Sequence, residues 1–118
     1  DFSIFCGYDE HFLNTLSLGG DGSIGLTANF APDIQVNIYQ AFKKGNYDQA
    51  IELHRKLASL MSLYKLNSPF MNVVKEAILI QGIEVTTDVL AQVRPLSEEK
   101  KEQIKIYLNE VLGKSSIK

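Results

Sequence analysis

Two carboxylates stand side by side at Asp9 and Glu10, just past the apolar run Phe2-Ser3-Ile4-Phe5-Cys6 and its closing Gly7. Adjacent acids at a helix start point in different directions. They therefore suit separate acid/base or hydroxyl-accepting roles better than a dyad sharing one proton. The competing use of the pair is architectural, with Asp9 as a helix N-cap and Glu10 as a first-turn acid favoured by the helix dipole. Cys6 is the single cysteine. With no base near it in sequence, a small packed hydrophobe accounts for it better than a nucleophile. His11 and His54 fall on separate predicted helices without Cys or carboxylate partners at ligand spacing, so no metal site is expected. Gly22-Ser23-Ile24-Gly25 has neither the lysine of a phosphate-binding loop nor the dinucleotide glycine pattern. Lys65 and Lys75 lie on predicted helices, and no lysine falls in or beside a predicted strand.

The elements that must position these groups follow from apolar spacing. Phe2 to Cys6, bounded by Gly7, reads as a strand covered on both faces, as in parallel sheets. Asp9 occupies the N-cap position of a helix through Leu18, with Phe12, Leu13 and Leu16 on one face and Gly19-Gly20 as its stop. Gly22 to Leu26 reads as a second strand, closed by Thr27-Ala28-Asn29. A helical crossover between two strands makes them parallel. Functional groups of such units gather at the strands' carboxyl ends, here Gly7-Tyr8-Asp9-Glu10 and Gly25-Leu26-Thr27-Ala28-Asn29. From Pro32 onward the pattern is helical: 33–44 with Ile34, Ile38 and Phe42; then 47–65 with Ala50, Leu53, Leu57, Leu60, Met61 and Tyr64. A third helix has Ser68 as N-cap, Pro69 at its first position and Val73, Val74, Ala77 and Ile78 on its apolar face. Residues 85–95 read as a linker. A last helix starts at Ser97 and carries Ile104, Tyr107, Leu108, Val111 and Leu112 to Gly113. The tail Lys114 to Lys118 is expected to fray.

Composition bounds the setting. The 118 residues make one domain or part of one, with hydrophobic content of 45% and charged content of 22%, as in folded proteins. A net charge of −2 with dispersed basic residues gives no nucleic-acid or anionic-membrane footprint. No apolar run approaches the ~20 residues that span a bilayer. A lone cysteine forms no intrachain disulfide and fits a reducing, cytoplasmic compartment. The Asp1-Phe2-Ser3 opening, running straight into a strand, reads as cut from a longer chain. Two parallel strands leave an exposed edge on each side, so further strands are expected from upstream or from a second copy.

The runs Phe5-Cys6-Gly7-Tyr8-Asp9-Glu10 and Leu18-Gly19-Gly20-Asp21-Gly22-Ser23-Ile24-Gly25-Leu26-Thr27-Ala28-Asn29 resemble the last two barrel strands of the N-acetylneuraminate lyase / dihydrodipicolinate synthase superfamily. Gly45-Asn46-Tyr47-Asp48-Gln49-Ala50, the Asn67-Ser68-Pro69 break with Val74-Lys75, and Arg94-Pro95-Leu96-Ser97-Glu98-Glu99 resemble that family's carboxy-terminal helices in the same order. The resemblance implies an α/β fold: the end of a (β/α)8 TIM barrel of roughly three hundred residues. Residues 1–44 would be its last two βα units, and 45–118 the final barrel-associated and carboxy-terminal helices. It further implies a pyruvate-dependent class I aldolase or lyase without metal or other cofactor, commonly a homotetramer. Its lysine forms a Schiff base with pyruvate, giving an iminium that serves as electron sink. That lysine and a proton-shuttling tyrosine would precede Asp1, so no catalytic residue is expected here. What the chain would hold is the rim for pyruvate plus an aldehyde or sugar acid. Gly7 and Gly25 match positions whose backbone lines the substrate, and Ile24 matches the residue whose carbonyl faces the pyruvate and lysine region. Asp9 and Glu10 match acids that accept from sugar hydroxyls. Gly7 to Glu10 is closer to the lyase branch and Thr27 to Asn29 to the synthase branch. Leu26 stands where sialate lyases usually have serine, so the branch stays open. Two other readings compete: a non-catalytic helical interaction module, and half of a split or self-assembling barrel.

Overall fold

A computed structural model of the protein describes residues 2–91 and 93–113; the expectations for Asp1 and for the tail Lys114 to Lys118 lie outside them. The chain divides into two compact units, Asp1–Met61 and Ser62–Lys118.

The first unit opens with β1 (Phe5–Cys6), a 3-10 turn (Asp9–His11) and α1 (Phe12–Ser17). β2 (Gly22–Ser23), a second 3-10 turn (Leu26–Asn29), α2 (Pro32–Lys43) and α3 (Tyr47–Leu60) follow. The two strands pair in parallel, with Phe5 opposite Gly22 and Cys6 opposite Ser23. They are shorter than their apolar runs predict, but the pairing extends beyond them at both ends. Asp21 N–H donates to the Ile4 carbonyl (2.8 Å) while Asp21 Oδ2 accepts from Ile4 N–H (2.8 Å), a carboxylate replacing one rung of the ladder. On the other side Ile24 N–H donates to the Cys6 carbonyl (2.9 Å).

The helix faces are the ones apolar spacing predicts. Phe12 and Leu16 of α1, Ile34, Ile38 and Ala41 of α2, and Ala50, Leu57 and Leu60 of α3 are buried. α2 packs chiefly on α3, with α1 against both. α1 stops where Gly19 takes φ +89°, a conformation glycine adopts without penalty.

Three expectations are corrected. The strands are not covered on both faces within this chain: Ile4 is 54% exposed, Phe5 52% and Ile24 78%. Among the described residues, their apolar side chains lack the packed cover that both faces of a parallel sheet receive. Asp9 does not cap a helix: Tyr8 holds that position, and α1 starts only at Phe12. Thr27 to Asn29 is a 3-10 turn rather than a strand end, and Thr27 accepts from the Phe30 and Ala31 amides through its carbonyl.

A 3-10 run (Met61–Leu66) starts with the last residue of the first unit, and the second unit continues with α4 (Met71–Ile80) and α5 (Glu98–Leu112), which pack on each other. The predicted helix to Lys65 thus changes type after Leu60. Beyond that point Leu63, not Tyr64, is the buried residue, because a 3-10 segment repeats every three residues. The next helix begins at Met71 rather than at Pro69. Asn67 Nδ2 donates to the Pro69 carbonyl (3.3 Å) and to Asn72 Oδ1 (3.1 Å), which holds 67–70 as a turn. Val73, Val74 and Ala77 of α4 and Ile104 and Leu108 of α5 are buried as expected. Ser97 caps α5, its hydroxyl accepting from the Lys100 amide (3.3 Å). The described part of the 85–95 segment has neither helix nor strand. It is fastened where Asn72 Nδ2 donates to the Arg94 carbonyl (2.7 Å) and Lys75 Nζ to the Asp88 carbonyl.

Candidate functional site

The parallel register brings the carboxyl ends of β1 and β2 to one edge, where all five residues singled out above lie: Gly7, Asp9, Glu10, Ile24 and Gly25. Gly7, Glu10 and Ile24 are exposed there and Gly25 is half-buried. Asp9 is different, with 2% of its surface accessible. Its Oδ2 accepts from the Thr27 amide (3.1 Å) and the Thr27 hydroxyl (2.7 Å), and its Oδ1 accepts from Gln35 Nε2 on α2. One carboxylate therefore joins the turn after β1, the turn after β2 and the following helix. A buried charge is tolerated when its oxygens are hydrogen-bonded in this way.

Gly25 belongs to the same arrangement. Its backbone (φ −100°, ψ 153°) is one any residue adopts, so conformation does not require glycine. Space does. A Cβ there would stand 1.8 Å from Asp9 Oδ1, 2.6 Å from Asp9 Cγ and 3.0 Å from Gln35 Nε2.

Glu10 is held through its backbone. The Glu10 carbonyl lies 3.0 Å from His54 Nε2 on α3. A carbonyl only accepts, so Nε2 carries a proton, and in the neutral ring Nδ1 then does not. Nδ1 is buried with no hydrogen-bond partner among the described residues. Burial moves the His54 pKa below the ordinary histidine value of 6.5, with the Glu10 carbonyl opposing and the His11 charge adding to the shift. A depressed imidazole pKa means that the unfolded chain binds the proton first. The stabilisation from neutral His54 is present above 6.5 and is lost as pH falls through its folded pKa. Urea unfolding at pH 7.5 and at pH 5.5 should show lower stability at the acid pH, and His54→Gln should shrink that difference.

Thr27, Gln35, Asp21 and His54 acquire their partners only in the fold; Thr27 was expected in the cluster at the strand end, whereas Gln35 was not. A signal existed for Gln35, an amide beside Ile34 on the buried stripe of α2. Among the described residues no group of three or more His, Cys, Asp or Glu side chains could hold a metal ion, and no helix is long and apolar enough to cross a membrane.

A parallel strand–helix–strand unit with polar groups at the strands' carboxyl ends and further helices behind defines an α/β protein of the kind from which (β/α)8 barrels are built. A family model, the Dihydrodipicolinate synthetase family, matches residues 1–111, and the chain belongs to that family. It is 44% identical over 110 residues to YagE of Escherichia coli K12, which carries the provisional name 2-dehydro-3-deoxy-D-gluconate aldolase. That match covers 93% of this chain and 36% of YagE. It is 43% identical over 107 residues to YjhH of the same organism, provisionally a 2-dehydro-3-deoxy-D-pentonate aldolase, covering 91% of this chain and 36% of YjhH. The crystal structure of YagE from E. coli K12 in complex with pyruvate superposes with a TM-score of 0.88 at 43% identity, over 94% of this chain and 37% of that one. The dihydrodipicolinate synthase of Bacteroides thetaiotaomicron shares the fold, with a TM-score of 0.84 at 24% identity over 93% of this chain and 38% of that one. The chain thus spans little more than a third of the relatives it matches.

Proposed function

We propose that this chain is the carboxy-terminal part of a Schiff-base-forming, pyruvate-dependent aldolase, and that it supplies the substrate rim but not the catalytic lysine. In this reading residues 1–44 are the last two βα units of the barrel and 45–118 the helices that follow. The observation that carries it is the parallel register of β1 and β2, which sets Gly7 to Glu10 and Ile24 to Thr27 at one sheet edge. Barrel enzymes bind their substrates at that edge. The relatives' names favour a 2-keto-3-deoxy sugar acid, split into pyruvate and a hydroxyaldehyde, over a sialic acid or a synthase substrate. Gly7 and Gly25 line the substrate with backbone, Ile24 turns its carbonyl toward the pyruvate end, and Glu10 accepts from the hydroxyls of the tail. Asp9 completes the rim from beneath.

Four of the ten lysines are engaged in ways that do not suit the nucleophile. Lys75 and Lys100 donate to Asp88 and Asn67 within the helical second unit, and Lys43 lies over the Tyr39 ring (5.4 Å). The hydrogen bond that Lys101 Nζ donates to Glu98 raises the Lys101 pKa, the opposite of what an amine that must attack a carbonyl needs. The parent protein is taken to be a cytoplasmic homo-oligomer without metal or cofactor. Treatment with pyruvate and borohydride tests the assignment by mass spectrometry. The complete parent should gain one pyruvyl adduct and this chain none; an adduct on this chain would overturn the placement of the lysine.

A further inference from the structure

Asp9 invites the role its neighbour has, an acid reading substrate hydroxyls, but its surroundings point elsewhere. The carboxylate is almost entirely enclosed. Oδ2 is taken by the amide and hydroxyl of Thr27 and Oδ1 by Gln35. The missing Cβ of Gly25 is the space that Oδ1 fills, so the group is seated in a cradle and is not turned toward solvent. Each contact fixes a different part of the rim. Thr27 ends the stretch that begins at Ile24, and its carbonyl in turn accepts from the Phe30 and Ala31 amides at the entry to α2. Gln35 ties the carboxylate to α2 itself. The Asp9 backbone leads directly into Glu10, whose carbonyl is held from the other side by His54.

We propose that Asp9 is a positioning residue, touching no substrate, which acts through Thr27 and Gln35 to set the Ile24–Gly25 peptide and the Glu10 carboxylate at their working separation. The inference rests on the reading of this edge as the substrate rim and assigns the two neighbouring acids opposite roles. A carboxylate suits the task because a charge-assisted hydrogen bond is shorter and stronger than a neutral one. A displacement of about 1 Å at a reacting group can cost on the order of 100-fold in rate.

The test uses the complete parent protein and compares Asp9→Ala, Asp9→Asn and Thr27→Val with wild type. Asparagine can keep both Thr27 bonds through its carbonyl and, with the Gln35 amide turned over, can donate to Gln35. Asp9→Ala should lower kcat by about 10- to 100-fold with KM for the keto acid little changed. Asp9→Asn should recover most of that loss, and Thr27→Val should fall between them. Amide hydrogen exchange, which needs no substrate, should speed up at Thr27 in Asp9→Ala and stay near wild type in Asp9→Asn. Two results would overturn the proposal. One is Asp9→Asn as impaired as Asp9→Ala with a raised KM, which would make the charge itself a substrate contact. The other is an Asp9→Ala enzyme with undiminished kcat in its folded fraction, which would leave Asp9 a packing residue only. A wild-type parent that traps no pyruvate would instead sink the aldolase reading, while the exchange pattern of the variants would still decide the role of Asp9.

Discussion

Gly25→Ala is expected to destabilise the first unit by about 3 kcal/mol, combining an overpacked site with disturbed hydrogen bonds to a buried charge. The new methyl would meet Asp9 Oδ1 at 1.8 Å, well inside contact distance. The carboxylate cannot swing aside without giving up Thr27 or Gln35, and its burial leaves no solvent to take their place. A double-mutant cycle separates this clash from any general intolerance of a side chain. Combined with Asp9→Ala the obstacle is gone, so the two substitutions together should cost less than the sum of each alone, with a coupling of about 1–3 kcal/mol. Urea midpoints measured at constant m-value would read it. A strictly additive pair would mean that the methyl meets something other than Asp9.

Truncating Ile38 to alanine should cost about 2–5 kcal/mol, whereas Ile38→Val should cost about 0.5–1.5 kcal/mol. Ile38 has no accessible surface and sits on α2, the helix that packs most extensively on α3 and also touches α1. Removing its outer carbons opens a void in a fully enclosed site, and close-packed interiors relax only in part around such a void. Val36 on the same helix is half exposed. Val36→Ala should change stability by no more than about 0.5 kcal/mol, so the pair distinguishes core packing from helix propensity. The same urea series checks all three, and equal losses at 36 and 38 would contradict the packing account.

The helices were legible because burial follows a period that can be counted. Ile34 and Ile38, Ala50 and Leu57, Val73 and Val74, and Ile104 and Leu108 all turn inward where spacing puts them. The order strand, helix, parallel strand was legible for a related reason, since a short apolar run on either side of a helical crossover admits few alternatives. What could not be read is whatever depends on distant partners. Asp9 stands where an N-cap would, and local sequence gives that role to such a residue. The competing acceptor sites, the Thr27 amide and hydroxyl and the Gln35 amide, are 18 and 26 residues away and outnumber what a local cap offers. Likewise Asp21 forms a ladder rung through its side chain, which no periodicity reveals. The exposure of Phe5 and Ile24 was missed because apolar content signals that a strand is covered in its finished setting. It does not show that the cover lies within these 118 residues.

The turn Asp9–His11 places one acid inward and the next outward on consecutive residues. That arrangement separates heredity of shape from heredity of taste. The inward acid fastens strand end to strand end, and changes there fall on the scaffold. The outward one bears no such duty through its side chain, since its backbone alone is what His54 holds. Position 10 can therefore be exchanged among residues of different length and charge with the edge still in place.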